Sequence, residues 1–234
     1  MTLFLNGGGS GEQVIDSYLF FKEKTDTKKP LLYVPLAMEE QKYPDCLKWI
    51  TKEMRSYRFP KIDMVTSPEE FATKDFNKYG AIFIGGGDTY KLLADLKSNS
   101  IYKKIQNFLA IGGTIFGGSA GAIIFGKDLD SCSHEDKNTV GLQDTTGFNQ
   151  AFGAYIGVHY KNGDPQREKR ATEAFTKLSF KGPVIALPEE DTLAIGKNEV
   201  HVIGSRDFYI FKEGKRHLRK PQIYSVEGFK KELS

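Results

Sequence analysis

The chain has 234 residues with 33 basic and 30 acidic side chains, a formal net charge of +3, and 39% hydrophobic residues. This is an ordinary water-soluble composition, long enough for a full core, and it gives no electrostatic case for nucleic acid as the main partner. No apolar run reaches the ~20 residues of a membrane span, Leu3-Phe4-Leu5 is too short for a secretory core, and Cys46 and Cys132 cannot make a disulfide framework, so a cytoplasmic protein is expected.

In chain order, Leu3–Leu5 reads as a strand and Glu12–Lys24 as a helix, then Leu31–Leu36 as a strand and Glu39–Tyr57 as a helix. Ile62–Thr66 is a predicted strand, and Pro68–Phe76 a helix with Ser67 as N-cap and proline at its first position. Ala81–Ile84 (strand), Thr89–Leu96 (helix) and Thr114–Phe116 (strand) follow, with a helix from Ala120. Such alternation implies parallel neighbours joined by crossover helices. After about residue 150 the rhythm changes: Ala154–Tyr160 reads as a strand and Gln166–Leu178 as a helix. Val184–Leu187, Thr192–Ile195, Glu199–Ile203 and Phe208–Phe211 are then spaced closely enough for hairpins. The expected class is α/β, a three-layer sandwich with a mainly parallel sheet, helices on both faces, and antiparallel strands added at the sheet edge by the C-terminal third. No repeat or linker divides the chain, and residues 1–234 are read as one domain.

Three glycine-rich turns stand between strands and helices. Asn6-Gly7-Gly8-Gly9-Ser10-Gly11 fails the dinucleotide fingerprint, having Glu12 where the last glycine is required, and reads as a tight turn or, more weakly, an anion cradle. Gly85-Gly86-Gly87-Asp88-Thr89 lacks the Gly-Lys-Ser/Thr of a P-loop and reads equally as a plain turn or a backbone donor site, with Asp88 or Thr89 capping the next helix. Gly117-Gly118-Ser119-Ala120-Gly121 fits G-x-S-x-G, the composition of a nucleophile elbow, in which a strained turn exposes the serine hydroxyl and the Ala120 N–H lies beside it. A small-residue turn is the competing reading. The position after a strand of an open α/β sheet favours the nucleophile.

Ile84-Gly85-Gly86-Gly87-Asp88-Thr89-Tyr90-Lys91-Leu92-Leu93 followed by Gly117-Gly118-Ser119-Ala120-Gly121-Ala122 resembles the dipeptidase E / cyanophycinase family of serine peptidases. Val158-His159-Tyr160 and Leu187-Pro188-Glu189-Glu190-Asp191-Thr192 extend the resemblance to about residue 200. It implies a fold like that of class I glutamine amidotransferases, with serine where those enzymes have cysteine. It also implies Ser119 as nucleophile, His159 as general base, and the N–H groups of Gly87 and Ala120 as the oxyanion hole. Of the other histidines, His134 falls in a polar stretch, His201 in a hairpin and His217 in a basic run. For the acid the expectation is Glu190, with Glu189 and Asp136 in reserve.

The resemblance further implies cleavage of small peptides after aspartyl residues. An acidic side chain calls for a cation, and Arg167 is near the place of a family arginine, while Arg170 suits surface pairing. Asp88, where relatives usually have Asn or Gln, would repel an aspartyl group or hold a free amino group, unless it only caps its helix. Arg167 and Asp88 are therefore the expected substrate-binding residues. No metal-ligand spacing is present and no cofactor is expected. The expected partner is a small peptide, neither nucleic acid nor membrane, and a homodimer is compatible with the chain. Two competing readings are an α/β-hydrolase esterase using Ser119, Glu190 and His201 or His217, and a ligand-binding protein without catalysis on the same amidotransferase-like fold.

Overall fold

The computed structural model describes residues 2–234. The first half of the chain alternates as its pattern requires: β1 (Thr2–Asn6), α1 (Ile15–Glu23), β2 (Leu31–Val34), α2 (Tyr43–Met54), β3 (Ile62–Met64), α3 (Pro68–Thr73), β4 (Ala81–Ile84), α4 (Thr89–Ser98), α5 (Ile101–Ala110), β5 (Thr114–Gly118) and α6 (Ala120–Ile123). Then come β6 (Tyr155–Gly157), α7 (Pro165–Leu178), β7 (Val184–Ala186), β8 (Thr192–Ile195), β9 (Glu199–Ile203), β10 (Phe208–Lys212), β11 (Lys215–Arg219), β12 (Ile223–Ser225) and α8 (Val226–Leu233). Ser67 caps α3, its hydroxyl accepting from the Glu70 N–H at 3.1 Å.

The eight-stranded main sheet has the order β12-β9-β8-β1-β5-β4-β2-β3. The five strands from β1 to β3 run parallel, whereas β8, β9 and β12 join antiparallel beside β1. Successive side chains on a strand point to opposite faces, and the parallel strands are apolar on both. Leu3, Leu5, Leu32, Val34, Ile82, Ile84 and Ile115 meet α3, α4 and α5 through Phe71, Leu92, Leu96, Ile105 and Leu109. Phe4, Leu31, Tyr33, Ala81, Phe83 and Phe116 meet α1 and α2 on the other face through Tyr18, Phe21, Ile50 and Met54. These are the three expected layers.

The C-terminal third divides differently from the expectation. β8, β9 and β12 do extend the main sheet, but Val184–Ala186 and Phe208–Lys212 leave it for a second, four-stranded sheet ordered β11-β10-β7-β6. One face of that sheet presents Ile156, Ile185 and Ile210 to the main core. The other presents Tyr155, Val184, Ala186, Tyr209 and Phe211 to Ala171, Phe175 and Leu178 of α7. Both faces need apolar cover, and the two packing surfaces supply it. Close spacing identified the β8–β9 hairpin, yet spacing alone carries no information about which sheet a strand joins. Helix α5 lies outside the expected elements although Ile101, Ile105, Phe108 and Leu109 form a helical stripe, all buried; β11, β12 and α8 also lie outside them. Among the described residues, no helix is long and apolar enough to cross a membrane.

Candidate active site

Strand β5 ends in glycines, and the chain turns at Ser119 with φ 53° and ψ −114° before entering α6. A positive φ is costly for a residue with a Cβ and persists only when its surroundings hold it. Here the Ser119 N–H donates to the Asn6 carbonyl at 3.2 Å, and its own carbonyl accepts from Ala122 and Ile123 at 2.8 and 3.0 Å. The flanking glycines are required by close approach: a Cβ on Gly117 would collide with the Gly121 carbonyl, and one on Gly121 with the Ile84 carbonyl. This is the elbow expected from G-x-S-x-G.

His159 follows β6 and is also left-handed, with φ 54°. Its N–H donates to the Gly7 carbonyl at 2.8 Å. Its Nε2 lies 2.8 Å from Ser119 Oγ, and its Nδ1 lies 2.8 Å from Glu189 Oε1. Both side chains of the His159–Glu189 pair are about three-quarters shielded from solvent. The carboxylate against the imidazole is therefore Glu189, in place of the expected Glu190. The backbone from Pro188 to Asp191 is a turn closed by the Asp191 N–H on the Pro188 carbonyl at 3.2 Å. Its two central residues project differently: Glu189 meets His159, whereas Glu190 Oε1 faces Arg206 at 3.4 Å. Asp136, the other reserve acid, accepts from Thr89 Oγ1 at 2.6 Å.

The first glycine-rich turn holds these pieces together, a role the sequence reading missed. Gly7 and Gly9 donate to the Asp191 and Glu189 carbonyls, each at 2.9 Å. Their N–H groups are spent on the main chain, which removes the anion-cradle reading. Asn6, buried at the end of β1, accepts from the Gly8 N–H at 2.9 Å and donates to Thr192 Oγ1 at 3.0 Å. Gly8 has φ +113°, and a Cβ there would strike the His159 ring. The one sequence signal was an asparagine leading a glycine run at a strand end.

Ser119 and His159 open on a cavity of about 230 Å³, lined also by Gly87, Thr89, Ser131, His134, Glu135, Asp136 and Arg167. Arg167 thus reaches the cavity as expected, but its guanidinium donates through Nε and Nη2 to both oxygens of Glu135. Burial works against the Glu135 charge, and the Arg167 fork outweighs it, holding the carboxyl below the usual range. Burial lowers the His134 pKa, which favours its neutral form. Asp88, expected to bind substrate, caps α4: its Oδ1 accepts from the Lys91 N–H at 2.9 Å, and it does not line this cavity. Its neighbour Gly87 does line the cavity, and the Ala120 N–H opens α6, where amides have no intrahelical acceptor.

His201 lies tilted against Phe20 at 4.6 Å between ring centres and pairs with Glu199, while His217 faces Ile210 across the β10–β11 hairpin. The imidazole beside the serine is that of His159. Among the described residues, no group of three or more His, Cys, Asp or Glu side chains is arranged to hold a metal ion.

The sequence model of Peptidase family S51 matches residues 3–203. The chain is 26% identical over 231 residues to a peptidase E of Nostoc sp., covering 92% of this chain and 89% of the relative. Its backbone is similar to the crystal structure of a peptidase from an acI-B1 actinobacterium, with a TM-score of 0.75, 20% identity and 96% of each chain covered. A peptidase E protein from Listeria monocytogenes gives a TM-score of 0.70 at 21% identity, over 88% of this chain and 98% of that one. These two likenesses speak for the fold.

Proposed function

The chain belongs to peptidase family S51 and is a serine peptidase; from that premise we propose that it is an exopeptidase of small peptides, with Ser119, His159 and Glu189 as its catalytic residues. The observation that carries the proposal is the unbroken relay at 2.8 Å from Ser119 Oγ to His159 Nε2 and at 2.8 Å from His159 Nδ1 to Glu189. As Oγ attacks the scissile carbonyl, its proton passes to Nε2. Glu189 keeps the Nδ1 proton in place and stabilises the imidazolium that forms. The Gly87 and Ala120 N–H groups receive the negative charge on the former carbonyl oxygen. Nε2 then gives its proton to the leaving amine, and water, activated by the same imidazole, releases the acyl group from Ser119.

The small size and partial enclosure of the cavity favour short peptides over folded proteins. An aspartyl preference has a cation available in Arg167, but Glu135 already holds the Nε–Nη2 edge of its guanidinium. An acidic substrate group reaching the remaining Nη1 side would lie beside that carboxylate and be repelled by it, so we propose only a weak advantage for aspartyl over asparaginyl peptides.

Ser119→Ala tests the reading against a dipeptide panel: hydrolysis should fall by about 10⁴-fold or more. A serine-directed fluorophosphonate should label the parent protein and not the variant. Equal turnover by both proteins overturns the mechanism.

A further inference from the structure

Behind the Gly85–Gly87 turn lies a second cavity, of about 470 Å³, lined by Tyr33, Met38, Cys46, Trp49 and Gly86 with the exposed Lys42 and Asp45. Its walls differ in kind from those of the cavity beside His159: two aromatic rings, a thioether and a thiol replace the carboxylates and guanidinium. Burial pushes both the Tyr33 hydroxyl and the Cys46 thiol up from their ordinary pKa values, so both stay neutral near pH 7.

This apolar cavity adjoins the nucleophile across the Gly86 backbone. Trp49 and Gly86 also line a hollow of about 120 Å³ whose other walls include Gly8, Gly118 and Ser119. Gly86 is the partition. A Cβ built on it would stand 3.0 Å from Ser119 Cβ and 3.4 Å from Oγ. Met38 flanks the same turn, its sulfur lying against the position a Gly87 Cβ would take. Ser119 therefore stands between a polar cavity and an apolar one, as a nucleophile must if the groups on the two sides of the attacked bond go to different surroundings.

We propose that the Tyr33–Met38–Trp49 cavity is a substrate pocket for an apolar or aromatic side chain, such as that of Leu, Met or Phe, on a residue flanking the scissile bond. The proposal rests on the peptidase reading above. Adjacency to Ser119 across Gly86 identifies a substrate side chain as the occupant, and the aromatic and sulfur-bearing walls, with charge only on the exposed Lys42 and Asp45, select its chemistry. Methionine and aromatic walls adapt to side chains of different shape. A well-buried Leu or Phe is expected to raise kcat/KM by roughly 10–100-fold over Gly at the same position.

Trp49 is the only tryptophan of the chain, so its emission reports on this cavity directly. In Ser119→Ala protein, titration with Phe- or Leu-containing dipeptides should shift or quench Trp49 fluorescence saturably, and the Gly analogues should do so only at much higher concentration. In otherwise unaltered enzyme, the ratio of kcat/KM for Phe over Gly peptides should be kept by Trp49→Phe and should collapse toward 1 in Trp49→Ala. Met38→Lys, at a half-exposed position, should collapse it as well and stands in if Trp49→Ala does not fold. The pocket is overturned if apolar peptides leave Trp49 emission unchanged, or if the ratio is near 1 in the parent or survives both Trp49→Ala and Met38→Lys. Absence of any Ser119-dependent hydrolysis would instead overturn the peptidase reading, and the fluorescence titration would still decide whether the pocket binds apolar side chains.

Discussion

An imidazole that shuttles a proton from Ser119 to a leaving amine must hold one tautomer, and a carboxylate on Nδ1 both fixes that tautomer and stabilises the cation. Glu189→Gln keeps a hydrogen-bonding group 2.8 Å from His159 but removes its charge. The kcat should fall about 10²–10⁴-fold, whereas Glu190→Gln, at the carboxylate facing Arg206, should change it by less than about 3-fold. Steady-state kinetics on one dipeptide decides between the two acids, and the reverse order of effects would return the role to Glu190. A second residue-scale prediction concerns Glu135. Glu135→Gln should loosen the fork of Arg167 and raise the kcat/KM ratio of aspartyl over asparaginyl dipeptides by about 10-fold. An unchanged ratio would show that Arg167 does not read the substrate's acidic group.

At the scale of elements, the elbow rests on an aromatic stack. Phe116, two residues before the second glycine of β5, lies between Phe83 at 4.7 Å and Phe4 at 5.8 Å, with Phe21 edge-on at 5.3 Å. It is buried, so truncation leaves a cavity that neighbouring strands cannot close. Phe116→Ala should destabilise the protein by about 3–5 kcal/mol. Thermal unfolding would register this as a large drop in Tm, and a loss below about 1 kcal/mol would contradict the packing described. The strand behind this stack was legible because Thr114-Ile115-Phe116 is a short apolar run before glycines. The β1 turn was less so. Its glycines signalled a tight bend, but their contacts are with residues 159, 189 and 191, which no local pattern names.

Across the whole molecule, the site lies where the two sheets meet. Ser119 comes from the end of β5 in the main sheet and His159 from just after β6 in the small one. Glu189 rides on the crossing from β7 to β8, between the sheets. The same crossing buries Asp191, whose Oδ1 accepts from the Arg206 N–H at 3.3 Å while Oδ2 has no partner among the described residues. Burial pushes its pKa up to about 7, against the neighbouring Arg206 and with the help of Glu190 and Asp207. A carboxyl whose folded pKa is raised favours the fold while both states are protonated, below about pH 4. That contribution declines as pH rises from about 4 through 7, because unfolding then releases the proton, and above 7 the loss is complete. Asp191→Asn should therefore raise Tm by roughly 4–8 °C at pH 8 and by little at pH 4. Parallel melts at the two pH values check it, and equal shifts at both would contradict the titration.

Apart from α5, the order of strands and helices in the first half, the elbow at Ser119 and the placing of His159 beside it were present in the sequence. They depend on local pattern: alternating apolar runs, glycines at a strained turn, and a family motif around each residue. Three matters were decided only by the tertiary structure. Val184–Ala186 and Phe208–Lys212 joined a second sheet because its two faces had separate apolar partners. Asp88 was taken up by helix capping, and Arg167 by Glu135. Glu189 rather than Glu190 met the imidazole because the two occupy the corners of one tight turn and project in different directions. Which corner faces His159 depends on how the β7–β8 crossing is pinned to the β1 turn, and those hydrogen bonds join residues 180 or more positions apart in the chain.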